Sequence, residues 1–199
     1  MRPPLLVATT NAGKLREIRA LLGSASIDLV TLADFAPIPP PEETGATFEE
    51  NARLKARYYS GRLARLTVAE DSGLVIDALG GEPGVRSARY LRDDATYRER
   101  FDQIHRRLAE VPGSSRTARF VCALAVADGD GIVFETTQTV EGEIAPQAGG
   151  SGGFGYDPIF FYPPYGRTLA EVTGDEKLAV AHRGKAFRAL ARWLATSGV

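Results

Sequence analysis

A chain of 199 residues, 44% of them hydrophobic, is long enough to bury its own core, and this length favours one domain or one domain of two lobes. The formal net charge of -1 excludes a general electrostatic attraction to nucleic acid or to an anionic membrane. A single cysteine, Cys122, excludes an intrachain disulfide, and two histidines supply a zinc site poorly. The apolar run at 5–8 is too short for a signal peptide or a membrane span, so we expect a cytoplasmic protein without nucleic-acid or membrane partners.

Lysine is rare in this chain. Of 24 lysine and arginine residues only four are lysine: Lys14, Lys55, Lys177 and Lys185. Lysine presents a compact charge that suits a single phosphate oxygen, whereas arginine presents a planar fork, so the two do not exchange freely in a phosphate site. The four lysines either mark such a site or survive by chance in an arginine-rich composition.

The N-terminal segment has the pattern of a short buried strand at 5–8, a turn and an amphipathic helix. The turn, Thr9-Thr10-Asn11-Ala12-Gly13-Lys14, would offer an anion backbone N–H groups and the positive end of the helix dipole. It is not a Walker A loop, because position 8 is alanine and position 15 is leucine. The alternative is an ordinary turn with a solvated Lys14.

Two carboxylates follow the next predicted strand. The proline-rich stretch 37–41 predicts an extended loop that delivers Glu43, and Thr47 with Glu50 forms a capping-box pattern that opens a helix. A strand over 66–69 is predicted to end at Glu70 and Asp71; if it continued, these side chains would point to opposite faces. Asp71 with Glu43 would suffice for Mg²⁺, which takes one or two protein carboxylates; the alternative is a pair of solvated acids.

The second half predicts a helix and then a hairpin. Apolar residues from Tyr97 to Val111 repeat at spacings of four and three, with His105 beside the apolar stripe. Strands are predicted over 119–127 and 132–144, joined by Asp-Gly pairs that favour a turn. Strands and helices that alternate before a hairpin predict an α/β fold with a mixed sheet.

A glycine-rich loop covers 149–155. It satisfies G-x-G-x-x-G, but Tyr156-Asp157-Pro158 follows instead of a helix, so it is not a dinucleotide fingerprint. Its glycines would let the backbone approach a ligand, and Phe154 or Tyr156 could offer an aromatic face to a base; the alternative is that both rings are core. Further on, Thr173 and Glu176 open a helix that carries Lys177, and a cationic cluster at 182–185 suits either a polyanion or a solvated face.

Seven ordered motifs together resemble the inosine triphosphate pyrophosphatase family, enzymes that hydrolyse non-standard purine nucleoside triphosphates. The motifs are Thr9-Thr10-Asn11-Ala12-Gly13-Lys14, Glu43-Thr44-Gly45-Ala46-Thr47-Phe48, Glu50-Asn51-Ala52-Arg53-Leu54-Lys55-Ala56, Asp71-Ser72-Gly73-Leu74, Gly80-Gly81-Glu82-Pro83-Gly84, Gly153-Phe154-Gly155-Tyr156-Asp157-Pro158, and Glu176-Lys177 with His182-Arg183. One departure is Ala181, where the family usually has a serine that precedes His-Arg.

The resemblance implies an elongated α/β fold of two lobes around a long mixed sheet with flanking helices, an active site in the cleft between the lobes, and a homodimer. It implies a single Mg²⁺-dependent pyrophosphatase domain over 1–199 that converts dITP, ITP or XTP and water into the monophosphate and pyrophosphate. The implied residues are Thr9 to Lys14 for the triphosphate, Lys55 and Lys177 for further phosphate charge, Glu43 and Asp71 for Mg²⁺, Ser72 for a substrate contact, Phe154, Gly155, Tyr156 and Asp157 with His182 and Arg183 for the base, and Asp71 as the proton acceptor.

Two other functions stay open. A Maf-like pyrophosphatase would share the reaction and act on pyrimidine nucleotides, although the motif at 9–14 and the run Phe154-Gly155-Tyr156-Asp157 argue against it. A nucleotide-binding module without hydrolysis is the second alternative, and Asp71, Lys14 and Lys177 weigh against it.

Overall fold

The computed structural model describes residues 4–23, 27–111, 113 and 115–197. Its strands are β1 (Leu5–Val7), β2 (Leu29–Thr31), β3 (Thr67–Ile76), β4 (Thr117–Asp128), β5 (Gly131–Ile144), β6 (Phe160–Tyr162) and β7 (Arg167–Thr168). Its α-helices are α1 (Ala12–Leu22), α2 (Phe48–Leu63), α3 (Tyr97–Ala109), α4 (Gly174–Val180) and α5 (His182–Thr196). Among these helices, none has the length and apolar character needed to cross a membrane.

The strands form one mixed sheet in the order β2-β1-β3-β4-β5-β6-β7. β1 lies parallel to both β2 and β3, whereas β6 is antiparallel to β5 and β7. The predicted hairpin joins β4 and β5 through Gly129, whose φ of 56° suits the turn. The predicted α/β fold with a mixed sheet is therefore confirmed.

The chain divides into two compact units, each with its own core. Unit 1 comprises Met1–Asp71, Cys122–Gln138 and His182–Val199, and unit 2 comprises Ser72–Val121 and Thr139–Ala181. In unit 1, apolar residues of α1 and α5 pack on β1, β3 and β4, with Cys122 buried among them. In unit 2, Ile104 and Leu108 of α3 pack with Phe120 and Phe160, whose ring centroids are 4.5 Å apart. His105 beside this stripe lies 2.9 Å from the Ala145 carbonyl oxygen, as expected of a structural residue.

Local capping signals place the helix starts correctly. Thr47 with Glu50 caps α2, and Thr173 with Glu176 caps α4, each through a reciprocal capping box. Asn11 caps α1, because its side chain accepts from the backbone N–H of Lys14. These starts depend on contacts within three residues, which explains why the sequence predicts them.

The predicted end of the strand at Glu70 and Asp71 is wrong. β3 continues to Ile76, so the two carboxylates lie in the middle of a ten-residue strand. Both side chains have cationic partners in unit 1, which removes the cost that would otherwise exclude a charge from a buried strand. The apolar run after Asp71 belongs to the same strand.

Candidate active site

The turn between β1 and α1 presents backbone groups to solvent. Thr10, Asn11 and Ala12 are exposed, Thr9 is half-buried and Gly13 is buried. Thr9 Oγ1 accepts from the N–H of Asn11 at 3.2 Å, and Asn11 Oδ1 accepts from the N–H of Lys14 at 3.1 Å. This arrangement orders the start of α1 and suits an anion at the positive end of the helix.

Lys14 folds back toward the interior of unit 1. Its ammonium nitrogen lies 3.7 Å from Glu70 Oε1, with 16% of the side chain exposed. Burial lowers the pKa of Lys14, and the charge of Glu70 only partly offsets that effect. A phosphate bound near Lys14 would favour its charged form further.

Glu70 lies at the centre of a buried network. Its Oε1 accepts from Arg183 Nε at 2.7 Å and its Oε2 from Cys122 Sγ at 3.0 Å, while Arg183 Nη1 donates to Glu17 at 2.6 Å. Burial raises the pKa of Glu70, but the charges of Arg183 and Lys14 outweigh it and hold the pKa well below the usual range. Burial also raises the pKa of the Cys122 thiol, as does the charge of Glu70, so Cys122 remains a protonated core residue.

Asp71 points to the other face of β3, as a two-residue period requires. Its Oδ1 lies 2.8 Å from Lys55 Nζ, and the same nitrogen lies 2.7 Å from Glu43 Oε1. Burial lowers the pKa of Lys55, but the charges of Asp71 and Glu43 outweigh it, so the net pKa is raised. The carboxylates of Glu43 and Asp71, both predicted to bind magnesium, thus contact the same ammonium nitrogen of Lys55.

Two carboxylates, those of Glu43 and Asp71, contact Lys55. Among the described residues, no group of three or more His, Cys, Asp or Glu side chains is arranged to hold a metal ion. Two hard oxygen donors within 2.8 Å of one positive charge nevertheless fit a divalent cation that completes its shell with water and phosphate oxygens.

Asn51 is a site residue that the sequence patterns did not single out. Its buried amide contacts Asp71 Oδ2 and the backbone of Gly45. The available signal was its position four residues before Lys55, which places both side chains on one face of α2.

In unit 2, Lys177, which was predicted to supply phosphate charge, lies against Phe154 and Asp157, which were predicted for the base. Asp157 Oδ2 accepts from the backbone N–H of Phe154 at 2.7 Å and from Lys177 Nζ at 2.5 Å. Lys177 Nζ also lies 4.7 Å from the centroid of the Phe154 ring, a cation–π distance. A Cβ at Gly153, where φ is 68°, would lie 2.1 Å from Asp157 Oδ2, so the turn depends on glycine. Lys177 therefore faces Asp157 and Phe154 in this structure.

The two aromatic rings of the glycine-rich loop have different environments. Tyr156 is buried, donates its hydroxyl to the Ser87 carbonyl oxygen at 2.9 Å, and packs edge-on against Tyr97. Phe154 and Gly155 are half-buried. Of these two aromatic residues, Phe154 is thus the more exposed, while Tyr156 belongs to the core.

The other predicted residues lie near element ends or in strands. Ser72 follows Asp71 in β3 and is half-buried, and His182 is the buried first residue of α5. Ala181, which stands at the family's serine position, has an extended conformation and donates its N–H to the Lys177 carbonyl oxygen at 2.8 Å. The break between α4 and α5 therefore forms without a side-chain hydroxyl.

Comparison with known proteins assigns the family. A model described as the Ham1 family matches residues 5–193. The chain belongs to the Ham1 family. A relative, the dITP/XTP pyrophosphatase of Geobacillus kaustophilus, is 47% identical over 94% of this chain and 91% of its own length. The dITP/XTP pyrophosphatase of Halalkalibacterium halodurans is 44% identical over 95% and 97%.

Solved Ham1 structures match as well. A HAM1 protein from Coxiella burnetii superposes with a TM-score of 0.91 at 38% identity, covering 98% of this chain and 99% of that protein. The Staphylococcus aureus Ham1 protein gives a TM-score of 0.86 at 33% identity, with the same coverage. The resemblance indicated by the seven motifs is confirmed, and so is the α/β fold class.

Proposed function

We propose that this chain hydrolyses dITP, ITP and XTP to the monophosphate and pyrophosphate. The observation that carries the proposal is the convergence of Glu43 and Asp71 on Lys55 in unit 1, which also contains the α1 N-terminus and Lys14. Two carboxylates for a metal and two lysines for phosphate charge are what phosphoanhydride hydrolysis needs. The relatives from Geobacillus kaustophilus and Halalkalibacterium halodurans, both named dITP/XTP pyrophosphatase, support the same substrates.

The residues of unit 1 would bind and polarise the triphosphate. The backbone of Thr9 to Gly13 and the ammonium of Lys14 would contact phosphate oxygens, with Lys55 adding a further charge. Attack by water at the α-phosphorus releases pyrophosphate, so negative charge builds on the leaving group, where these lysines stabilise it. Asp71 would accept the proton of the attacking water.

Glu43 and Asp71 would hold Mg²⁺. When bound, Mg²⁺ would neutralise charge on the phosphates and the leaving group. Lys55 now lies between the two carboxylates, so it would move toward a phosphate oxygen when they take the metal. Asp71 then has two assignments, metal ligand and proton acceptor, that compete for one carboxylate.

The Phe154 turn would serve the base. The half-buried Phe154 would stack on the base, the buried Lys177 Nζ lies 4.7 Å from the centroid of its ring, and Asp157 contacts both residues. Hypoxanthine and xanthine present an acceptor oxygen at position six that backbone N–H groups can recognise, whereas the guanidinium of Arg183 is already bound to Glu70 and Glu17. Adenine presents an amino donor there instead, which would leave site donors unpaired at about 1 to 3 kcal/mol per group.

The remaining expectations concern the whole protein. We infer that residues 1–199 act as one pyrophosphatase domain, because the family match at 5–193 includes residues of both units. We also propose that the protein works as a homodimer, as the resemblance implies, in the cytoplasm, whose reducing conditions suit a single cysteine, and without nucleic-acid or membrane partners, as the near-zero net charge implies.

A nucleotide panel tests the function. With Mg²⁺ present, pyrophosphate release should show a kcat/KM preference for dITP, ITP and XTP over dGTP, GTP and ATP, with dTTP included for the Maf-like alternative. Asp71→Asn should abolish turnover while keeping the unfolding transition, and near-normal activity would remove Asp71 from its role. Equal turnover of the purine nucleotides would refute the selectivity, pyrimidine preference would favour the Maf-like enzyme, and binding without release would favour the binding module.

A further inference from the structure

Asn51 is a buried polar side chain near the start of α2. It is 2% exposed, and a buried amide needs partners for its donors and its acceptor to avoid a desolvation cost. Its Oδ1 accepts from the N–H of Gly45 at 2.8 Å. Its Nδ2 donates to Asp71 Oδ2 at 3.3 Å and to the Gly45 carbonyl oxygen at 3.4 Å. One side chain thus joins the backbone of the loop at 42–46 to a carboxylate of β3.

The partners determine the orientation of this amide. Only its oxygen can accept from the Gly45 N–H, and only its NH₂ group can donate to the Asp71 carboxylate. A flipped amide would place donor against donor and oxygen against oxygen. The bridge therefore needs a side chain with an acceptor on one side and a donor on the other. Glutamine is too long to replace asparagine here, and aspartate would place a second negative charge beside Asp71.

Gly45 allows the loop to approach the helix closely. A Cβ at this position would lie 2.6 Å from Asn51 Oδ1 and 2.7 Å from Glu50 Cβ, too close for any other residue without a shift. Glu43 lies two residues earlier in the same loop. Contact between Asn51 and Gly45 therefore restrains the segment that carries the Glu43 carboxylate.

The bridge also orients Asp71. With Oδ2 facing Asn51, Oδ1 faces Lys55 Nζ, the nitrogen that Glu43 also contacts. We propose that Asn51 is a positioning residue. By holding the loop at 42–46 against Asp71, it keeps the carboxylates of Glu43 and Asp71 facing one cation. This inference rests on the proposed function in assigning that point to Mg²⁺ during hydrolysis.

Two substitutions break the same contact from opposite sides. Asn51→Ala removes the bridge, and Gly45→Ala pushes the loop away from an intact amide. Loss of a residue that orients metal ligands typically weakens metal affinity by about 10- to 100-fold. In a titration of nucleotide-free protein with Mn²⁺, followed by the EPR signal of free Mn²⁺, both variants should show a loss of that order. Both substitutions break the same contact, so their effects should not add. The Mn²⁺ affinity of the double variant should be about that of the single variant with the lower affinity.

A second readout separates positioning from chemistry. The Mg²⁺ concentration for half-maximal dITP hydrolysis should rise in both variants, while kcat at saturating Mg²⁺ should fall much less. Hydrogen exchange at the Gly45 amide should quicken in Asn51→Ala, because its acceptor is lost. A purely structural defect would not produce this separation of metal dependence from kcat.

Ser60→Ala is the matched control. Ser60 is buried in the same helix, and its hydroxyl donates to the carbonyl oxygens of Arg65 at 2.8 Å and Ala127 at 3.2 Å. This variant should unfold at a lower temperature with unchanged Mn²⁺ affinity.

Unchanged Mn²⁺ affinity in Asn51→Ala, or no Mn²⁺ binding by the unaltered protein, would overturn the inference. Weaker Mn²⁺ binding in a protein that hydrolyses no nucleotide would refute the proposed function and leave the positioning role intact.

Discussion

The buried ion pair between Glu70 and Arg183 provides a quantitative test of what stabilises unit 1. Both side chains are almost fully buried, and Arg183 Nε lies 2.7 Å from Glu70 Oε1. Glu70→Gln keeps the shape but removes the negative charge that faces Arg183 and Lys14. Removing one partner of a buried pair costs about 3 to 5 kcal/mol. Because glutamine still accepts a hydrogen bond and Glu17 still pairs with Arg183, we expect a loss near the lower end, about 3 kcal/mol.

The chain offers both a probe and a control for this measurement. Trp193 is its single tryptophan and stacks on Phe134 at 5.1 Å within unit 1, so its fluorescence reports urea unfolding there. Glu135→Gln removes an exposed carboxylate that accepts from Arg53 at 2.7 and 3.0 Å, and it should cost no more than about 1 kcal/mol. Equal losses in Glu70→Gln and Glu135→Gln would refute the reasoning that burial decides the cost.

The Glu70→Gln substitution should also change how the stability of the protein depends on pH. The pKa of Glu70 lies below its ordinary value of 4.5 in the folded protein, because the charges of Arg183 and Lys14 outweigh the effect of burial. A carboxyl of this kind contributes stability above the unfolded pKa, and that contribution is lost as pH falls toward the folded pKa. The stability difference between the unaltered protein and Glu70→Gln should therefore shrink below about pH 4.5. Urea midpoints that stay equally separated from pH 7 to pH 3 would contradict this.

Two further predictions concern phosphate charge and the base turn. Lys14→Arg should lower kcat/KM for dITP far more than Lys185→Arg, because a planar fork replaces a point charge only at the predicted phosphate site; comparable losses would extend the phosphate site to Lys185. Gly153→Ala should raise KM for dITP and destabilise the fold by about 1 to 3 kcal/mol, since its Cβ would collide with Asp157. Gly166→Ala is the control, with a similar φ of 61° but open space around the Cβ, and an equal change in KM would show that backbone strain alone is responsible.

Sequence patterns predicted the features that depend on near neighbours. The capping boxes at Thr47 and Thr173 involve residues three apart, and both helices start where these patterns indicate. The opposite directions of Glu70 and Asp71 follow from the two-residue period of a strand, even though the strand was expected to stop there. The seven motifs identified the family without any structural information.

The sequence by itself determined the family, the mixed α/β class and the residue types available for phosphate and metal. Only the tertiary structure decided how those residues pair. Arg183 meets Glu70 across 113 positions of the chain, Asn51 meets Asp71 across 20, and Lys177 faces Asp157 rather than standing alone as a charge. These pairings depend on which buried charges must find partners once the core has formed, and that requirement acts through space, where no local pattern of residues records it.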